Sequence, residues 1–281
     1  MRADLHCHSS ASDGTRRPAE VITRAAAAGL DAIALTDHDT VAGISEASAA
    51  LPQRLTLIPG MELSCRRDGH SVHLLGYLFD PGHEELAAQT LAIRQSRVER
   101  ARAMVTRLRE LGVPVTWEQV SAIAGDGVIG RPHIARAMIE AGVISSVNEA
   151  FTPQWIGPGG RAHVSRYALD PADAIALVHA AGGVTSLAHP LAVTRGWMVP
   201  DDLIAELARA GLDGVEVAHP DHDRSQRDQL RTVARRLGLA ATGGSDDHGQ
   251  LTGDRIGCES IGPDDLGRLL ERATGASVIS R

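Results

Sequence analysis

Short apolar runs alternate with amphipathic stretches along most of the chain. Residues 2–5, 32–35, 55–58 and 72–78 read as strands, rich in Ala, Ile, Leu and Val. Residues 18–28 carry helical periodicity, with Pro18 at the start and Gly29 placed as a C-cap, and a second helix follows over about 41–50. From residue 84 the pattern changes. Leu86, Leu91, Ile93, Val98, Ala101, Val105 and Leu108 keep helical spacing up to Gly112, and shorter helices are expected over 117–123, 132–140 and 147–151. The alternation then resumes. Helices over 171–180, 201–210 and 226–237 interleave with strands over 183–187, 214–217 and 240–242.

Strand–helix repeats of this spacing imply parallel strands with helices outside. The expected fold class is α/β, a distorted seven-stranded (β/α)7 TIM-like barrel with an inserted helical lid domain. The barrel is assigned to residues 1–82 and 167–281 and the insertion, closing over the active site, to 83–166. In such barrels the chemistry sits at the C-terminal ends of the strands.

Composition narrows the function. At 281 residues with 43% hydrophobic content the chain can bury a large core. No apolar run approaches the roughly 18 residues of a membrane span. No charged stretch followed by an apolar one opens the chain, so a cytoplasmic location is expected. Cys7, Cys65 and Cys258 show no CxxC spacing, which argues against a disulfide framework. Cys7 lies between two histidines, and strand alternation should turn it away from them into the packing behind. Lysine is absent, which removes Schiff-base chemistry and a Walker A loop. No GxGxxG follows a strand, so dinucleotide binding is excluded. The net charge of -7 disfavours a general nucleic-acid surface, but it is uneven. Residues 83–166 hold ten Arg against eight acids, and the remainder eighteen Arg against twenty-seven. Bound cations would reverse the local sign of the acidic part, so an anionic substrate fits.

The informative residues cluster after the strands. They are His6-Cys7-His8 followed by Asp13, then Thr36-Asp37-His38-Asp39, Gly60-Met61-Glu62, His73-Leu74-Leu75-Gly76-Tyr77, His189-Pro190 and Ser245-Asp246-Asp247-His248. Imidazoles and carboxylates are the ligands of Zn, Mn and Fe. His6 and His8, two apart on one strand, face the same side and can share one ion. Asp37 reads either as a carboxylate orienting an imidazole or as support for the turn.

In these motifs and their order, which span nearly the whole chain, the sequence resembles the PHP family, named for polymerase and histidinol phosphatase. The resemblance implies a trinuclear site with three divalent metal ions, Mn2+ foremost and Zn2+ or Fe2+/Fe3+ as alternatives. By motif, His6, His8, Glu62 and Asp246 would hold the first ion. Glu62 would bridge to a second held by His73 and His189. Asp13, His38 and His248 would hold the third; many relatives have histidine in place of Asp13, and either can ligate.

Within the family the chain is similar to the 3',5'-nucleoside bisphosphate phosphatases, 5'-AMP phosphatases and 5'-to-3' exoribonucleases. Gly130-Arg131-Pro132-His133 and Val215-Glu216-Val217-Ala218-His219-Pro220-Asp221-His222 look like their substrate motifs. The resemblance implies that Arg131 and His219 contact phosphate, with His133 nearby. Taken alone, Arg131 reads as a surface arginine before a helix-starting proline. Arg161 stands where relatives commonly have lysine. His222 either orients substrate or caps the next segment.

The expected activity is hydrolysis of nucleotide phosphate monoesters by metal-activated water, on a small nucleotide or short oligonucleotide, with no membrane or obligate protein partner. The 2% aromatic content offers few stacking platforms for long single strands. Histidinol phosphatase is the nearest rival. A catalytically silent PHP module is the rival of another class, disfavoured by the complete ligand set.

Overall fold

The computed structural model describes residues 1–193 and 197–281. It forms two compact units, Met1–Gln89 with Ala168–Arg281, and Thr90–Tyr167.

Unit 1 is built on a seven-stranded sheet in sequential order. Its strands are β1 (Ala3–Asp4), β2 (Ala32–Leu35), β3 (Thr56–Arg67), β4 (His70–Tyr77), β5 (Val184–Leu187), β6 (Gly214–Ala218) and β7 (Ala240–Gly243). Helices α1 (Pro18–Ala27), α2 (Ile44–Ala49), α7 (Pro171–Ala180), α8 (Asp201–Arg209) and α9 (Arg224–Leu237) connect them, and α10 (Pro263–Leu270) follows β7. The sequence pattern had not indicated α10.

The two ends of the sheet approach through the segments that follow β1 and β7. Leu5 N donates to Gly243 O at 3.1 Å, Asp246 N to His6 O at 2.8 Å, and His8 N to Asp247 O at 3.0 Å. The sheet thus forms a nearly closed, distorted TIM-like barrel, and two of the expected metal motifs lie side by side at the seam. Gly244 makes this approach possible, because a Cβ there would meet the His6 backbone N at 2.4 Å.

The all-parallel expectation fails at β4, which is antiparallel to both β3 and β5. The cause is local. Asp68 and Gly69 both have positive φ, 49° and 83°, and close a two-residue hairpin rather than a helical crossover. The Asp-Gly pair is a turn signal that the strand–helix reading passed over. As a result His73 lies early in an antiparallel strand, not at the C-terminal end of a parallel one, yet at the same end of the sheet as the other motifs.

The interior holds Leu5, Ala34, Ile58, Leu75 and Tyr77, and the Tyr77 hydroxyl donates to Leu5 O at 2.9 Å. Cys7 is buried with Val21, Ile22 and Ile33 on the outer side, away from the histidines that flank it. Burial pushes its thiol pKa well up, which leaves it inert at neutral pH.

The boundary between the units falls within α3 (Glu84–Glu110), whose first turns belong to unit 1. In unit 2, α4 (Trp117–Ala124), α5 (Arg131–Glu140) and α6 (Val147–Ala150) pack with α3 around Met104, Leu108, Val115, Ile134 and Met138. Thr116 caps α4 by accepting from Gln119 N at 3.2 Å. No helix among the described residues is long and apolar enough to cross a membrane.

Candidate metal centre

The strand ends deliver a dense group of imidazoles and carboxylates. Among the described residues four sets could hold a metal ion: His8, Asp13, His38 and His248; His6, Glu62 and His189; His6, His8 and Asp246; His38, Glu62 and His73. Within each set the donor atoms lie within 4.8 Å of one another. Together the sets contain all nine residues that the motifs singled out, but the sharing differs. His8 sits with Asp13, His38 and His248 as well as with His6 and Asp246. His38 also reaches Glu62.

Glu62 is the centre of the arrangement, only 1% exposed. One oxygen, Oε2, lies 3.0 Å from His38 Nδ1, 3.1 Å from His8 Nε2 and 3.4 Å from His6 Nε2. The other, Oε1, lies 2.8 Å from His73 Nδ1 and 3.2 Å from His189 Nε2. Asp246 is the second focus, 3.3 Å from His8 Nε2, 3.4 Å from His6 Nε2 and 3.3 Å from His219 Nε2.

The donor set fits divalent cations on more than residue type. His8 Nδ1, Asp13 Oδ1 and His73 Nδ1 are buried with no hydrogen-bond partner. Buried polar atoms are normally satisfied. Atoms that converge at 2.8–3.9 Å without hydrogen-bond geometry are aimed at a common point instead.

The electrostatics is that of a mutually compensating cluster. Burial alone would raise the Glu62 pKa, but His38, His73 and His6 outweigh it and hold the carboxyl well below its usual range. Asp13 is depressed in the same way, against its burial, by His38 and His248. Burial opposes protonation of His8, yet Asp246 and Glu62 overcome this and push its pKa up to about 10. His6 is raised against its burial by Glu216, Asp246 and Glu62. An entering cation therefore displaces protons, so its binding is pH-dependent.

The backbone is held in unusual conformations here. Asp39, His189 and Asp246 have positive φ of 54°, 28° and 48°. Such strain persists in non-glycine residues only where the surroundings over-determine it. Asp39 is fixed by Ser64, whose N and Oγ both donate to it at 2.8 Å. Asp37 supports a turn. It accepts from Ser9 N at 2.8 Å, Ser9 Oγ at 2.7 Å and Ser12 Oγ at 2.6 Å, and so shapes the loop that carries Asp13.

The substrate candidates divide between the units. His219 is fully buried at the end of β6. Its Nδ1 accepts from Asp221 N at 3.0 Å, so the neutral ring carries its proton on Nε2, toward Asp246. His222 has both nitrogens engaged by backbone: Nδ1 lies 3.1 Å from Val217 O, and Leu191 N donates to Nε2 at 3.2 Å. That ring ties β6 to the segment after His189, and burial depresses its pKa. In unit 2, Arg131 opens α5 with its guanidinium 4.8 Å from the Phe151 ring centroid. His133 Nδ1 accepts from Gly130 N at 2.9 Å, which leaves the proton on Nε2. Arg161 is exposed.

Sequence reasoning quoted Glu216 within the motif of His219 but gave it no role of its own. It is fully buried on β6 and contacts His6 at 3.1 Å. Its place in a Val-Glu-Val strand core was the available signal, because an acid is rarely buried unless paired.

The barrel and its His/Asp/Glu groups together define a protein able to bind divalent metal ions at its strand ends. The model of the PHP domain matches residues 4–115. A 5'-3' exoribonuclease from Haemophilus influenzae is 37% identical over 87% of this chain and 89% of its own. A 3',5'-nucleoside bisphosphate phosphatase from Chromobacterium violaceum is 35% identical over 90% of this chain and 89% of its own. A solved structure from Bifidobacterium adolescentis, provisionally assigned as a metal-dependent phosphoesterase, superposes with a TM-score of 0.87 at 33% identity, over 97% of this chain and 96% of that one. The chain belongs to the PHP domain family and is one of its phosphoesterases.

Proposed function

We propose that the protein hydrolyses phosphate monoesters of nucleotides, 3',5'-bisphosphonucleosides and 5'-AMP foremost, at a site holding three divalent ions. The observation that carries this reading is Glu62, one buried carboxylate within 3.4 Å of five imidazoles, which suits a bridging ligand between ions. His6, His8, Asp246 and Glu62 would hold one ion, Glu62, His73 and His189 a second, and Asp13, His38 and His248 a third. Bound there, Mn2+, or in its place Zn2+ or iron, would neutralise phosphoryl oxygens and bring the pKa of water toward neutrality.

The chain's own residues do the rest. His219, with its proton held on Nε2 by the Asp221 amide, offers a donor beside Asp246 for a phosphoryl oxygen. Arg131 and His133 are assigned to the substrate phosphate on their motif. A guanidinium fork matches phosphate oxygens bidentately, and His133 offers Nε2–H. Arg161 is a further candidate contact. His222 acts by holding the backbone at Leu191 and Val217.

Short 5'-phosphorylated RNA is the second reading, favoured by the likeness to the Haemophilus influenzae exoribonuclease. The test is phosphate release with Mn2+ from adenosine 3',5'-bisphosphate, 5'-AMP and L-histidinol phosphate side by side. Preference for the nucleotides is expected, with short RNA tried next. Preference for histidinol phosphate would leave the metal site standing and overturn the assignment of Arg131 and His219.

A further inference from the structure

Glu216 belongs to none of the four donor sets, yet it touches two of their members in different ways. His6 Nδ1 lies 3.1 and 3.3 Å from its two oxygens. The backbone N–H of His189 donates to Oε2 at 2.7 Å. Both contacts are buried.

A carboxylate only accepts hydrogen bonds, so Glu216 keeps a proton on Nδ1 of His6. Nε2 then faces the cluster, 3.1 Å from His8 Nε2 and 3.4 Å from both Glu62 and Asp246, where its lone pair would be offered to an entering cation. The second contact acts on backbone. His189 has φ of 28°, a region that L side chains rarely adopt. The Glu216 bond anchors its amide, and the His189 ring then meets Glu62 Oε1 at 3.2 Å.

We propose that Glu216 is a positioning residue for the His6–Glu62–His189 set, fixing the tautomer of one donor and the strained backbone of another, and so sets the affinity of that set for a divalent ion. The proposal rests on the metal-dependent reading above. Any buried carboxylate needs partners, but both of the partners of Glu216 belong to one donor set. One strand side chain controlling donors from the β1 and β5 segments also explains how a set gathered from three places in the chain keeps one geometry. Carboxylate partners of this kind orient ligating imidazoles and raise their basicity.

The experiment compares the full-length wild type with Glu216→Gln, which keeps the volume and removes the charge, and with Asp213→Asn as a control. Asp213 is likewise a buried carboxylate beside a histidine, 2.8 Å from His179 Nε2, but outside the donor sets. Mn2+ affinity and stoichiometry are read by chelator competition, and the Co2+-substituted forms by their visible absorption. E216Q is expected to lose about 10–100-fold in affinity at one class of site and to change the Co2+ bands, whereas D213N keeps both. Wild-type affinity and bands in E216Q overturn the proposal, as does an equal loss in D213N.

A second measurement needs no variant. Long-range 1H–15N spectra of the Zn2+-loaded wild type should show His6 protonated at Nδ1, and protonation at Nε2 overturns the proposal. A wild type that binds no divalent ion would take down the functional reading itself. Intact wild-type binding with an unaffected E216Q takes down this inference alone.

Discussion

The two units bury different things. Unit 2 packs a conventional apolar core, and among the described residues its buried polar side chains are Thr90, Arg97 and His133. Among its described residues, unit 1 buries seven histidines and nine carboxylates, most of them at one end of the barrel. The charge divides the same way: Thr90–Tyr167 carries ten Arg against six acids, and the rest of the chain eighteen Arg against twenty-nine. The contrast teaches where each kind of substitution should register. A cluster held by mutual compensation is built for cations, and damage there should fall on metal binding before stability. Damage to an apolar core should fall on stability alone.

The largest effect should come from the centre of the cluster. Asp246→Asn removes a carboxylate shared by His6, His8 and His219. Phosphate release should fall by at least about 10²–10³-fold, with metal lost from the purified protein. Full activity with normal metal content would sink the ligand assignment. The counterpart in unit 2 is Leu108→Ala at a fully buried position. It should cost about 2–5 kcal/mol in denaturant unfolding, with metal stoichiometry unchanged in the folded protein. Metal loss in that variant would break the division drawn between the units.

Arg131→Ala sharpens the comparison, because it is a unit 2 residue with a proposed role in chemistry. It should lower kcat/KM by about 10–100-fold on nucleotide substrates and leave metal content intact. An unchanged kcat/KM would return Arg131 to the role of a helix-start arginine.

The smallest effect tests a buried carboxylate of unit 1 outside the cluster. Burial would raise the Asp213 pKa, but His179 and the Thr185 amide outweigh it and hold it below its ordinary value. A carboxyl depressed in the folded state stabilises above the ordinary carboxylate range and loses that contribution as pH falls through its folded value. Asp213→Asn should therefore cost about 1 kcal/mol at neutral pH, since its Arg272 partner is largely exposed, and should flatten the acid limb of a Tm-against-pH profile. An unchanged acid limb would show that Asp213 contributes nothing there.

Much of this was legible in sequence because the signals are local. The β2 strand and the α7 helix coincide with the apolar and periodic runs that predict them, at Ala32–Leu35 and Pro171–Ala180. The nine candidate ligands announced themselves because clustered His and Asp at strand ends have few uses in an apolar core. The direction of β4 was lost for a physical reason: strand periodicity is the same in both directions, and only the Asp68-Gly69 turn encodes the reversal. The helix α10 escaped because it is short, its Pro263-Asp264-Asp265 start resembles a loop, and its buried face is only Leu266 and Leu269.

The sequence by itself determined most of the element types, the donor inventory and the family. It could do so because periodicity, turn chemistry and ligand type are properties of neighbouring residues. Tertiary structure alone decided how the donors share one another. Glu62 meets five imidazoles from four chain segments, the seam between the segments after β1 and β7 sets His6 against Asp246, and Glu216 reaches from β6 to His6 and His189. Those relations follow from sheet closure and register, which join residues up to about 240 positions apart and leave no mark on any local stretch of chain.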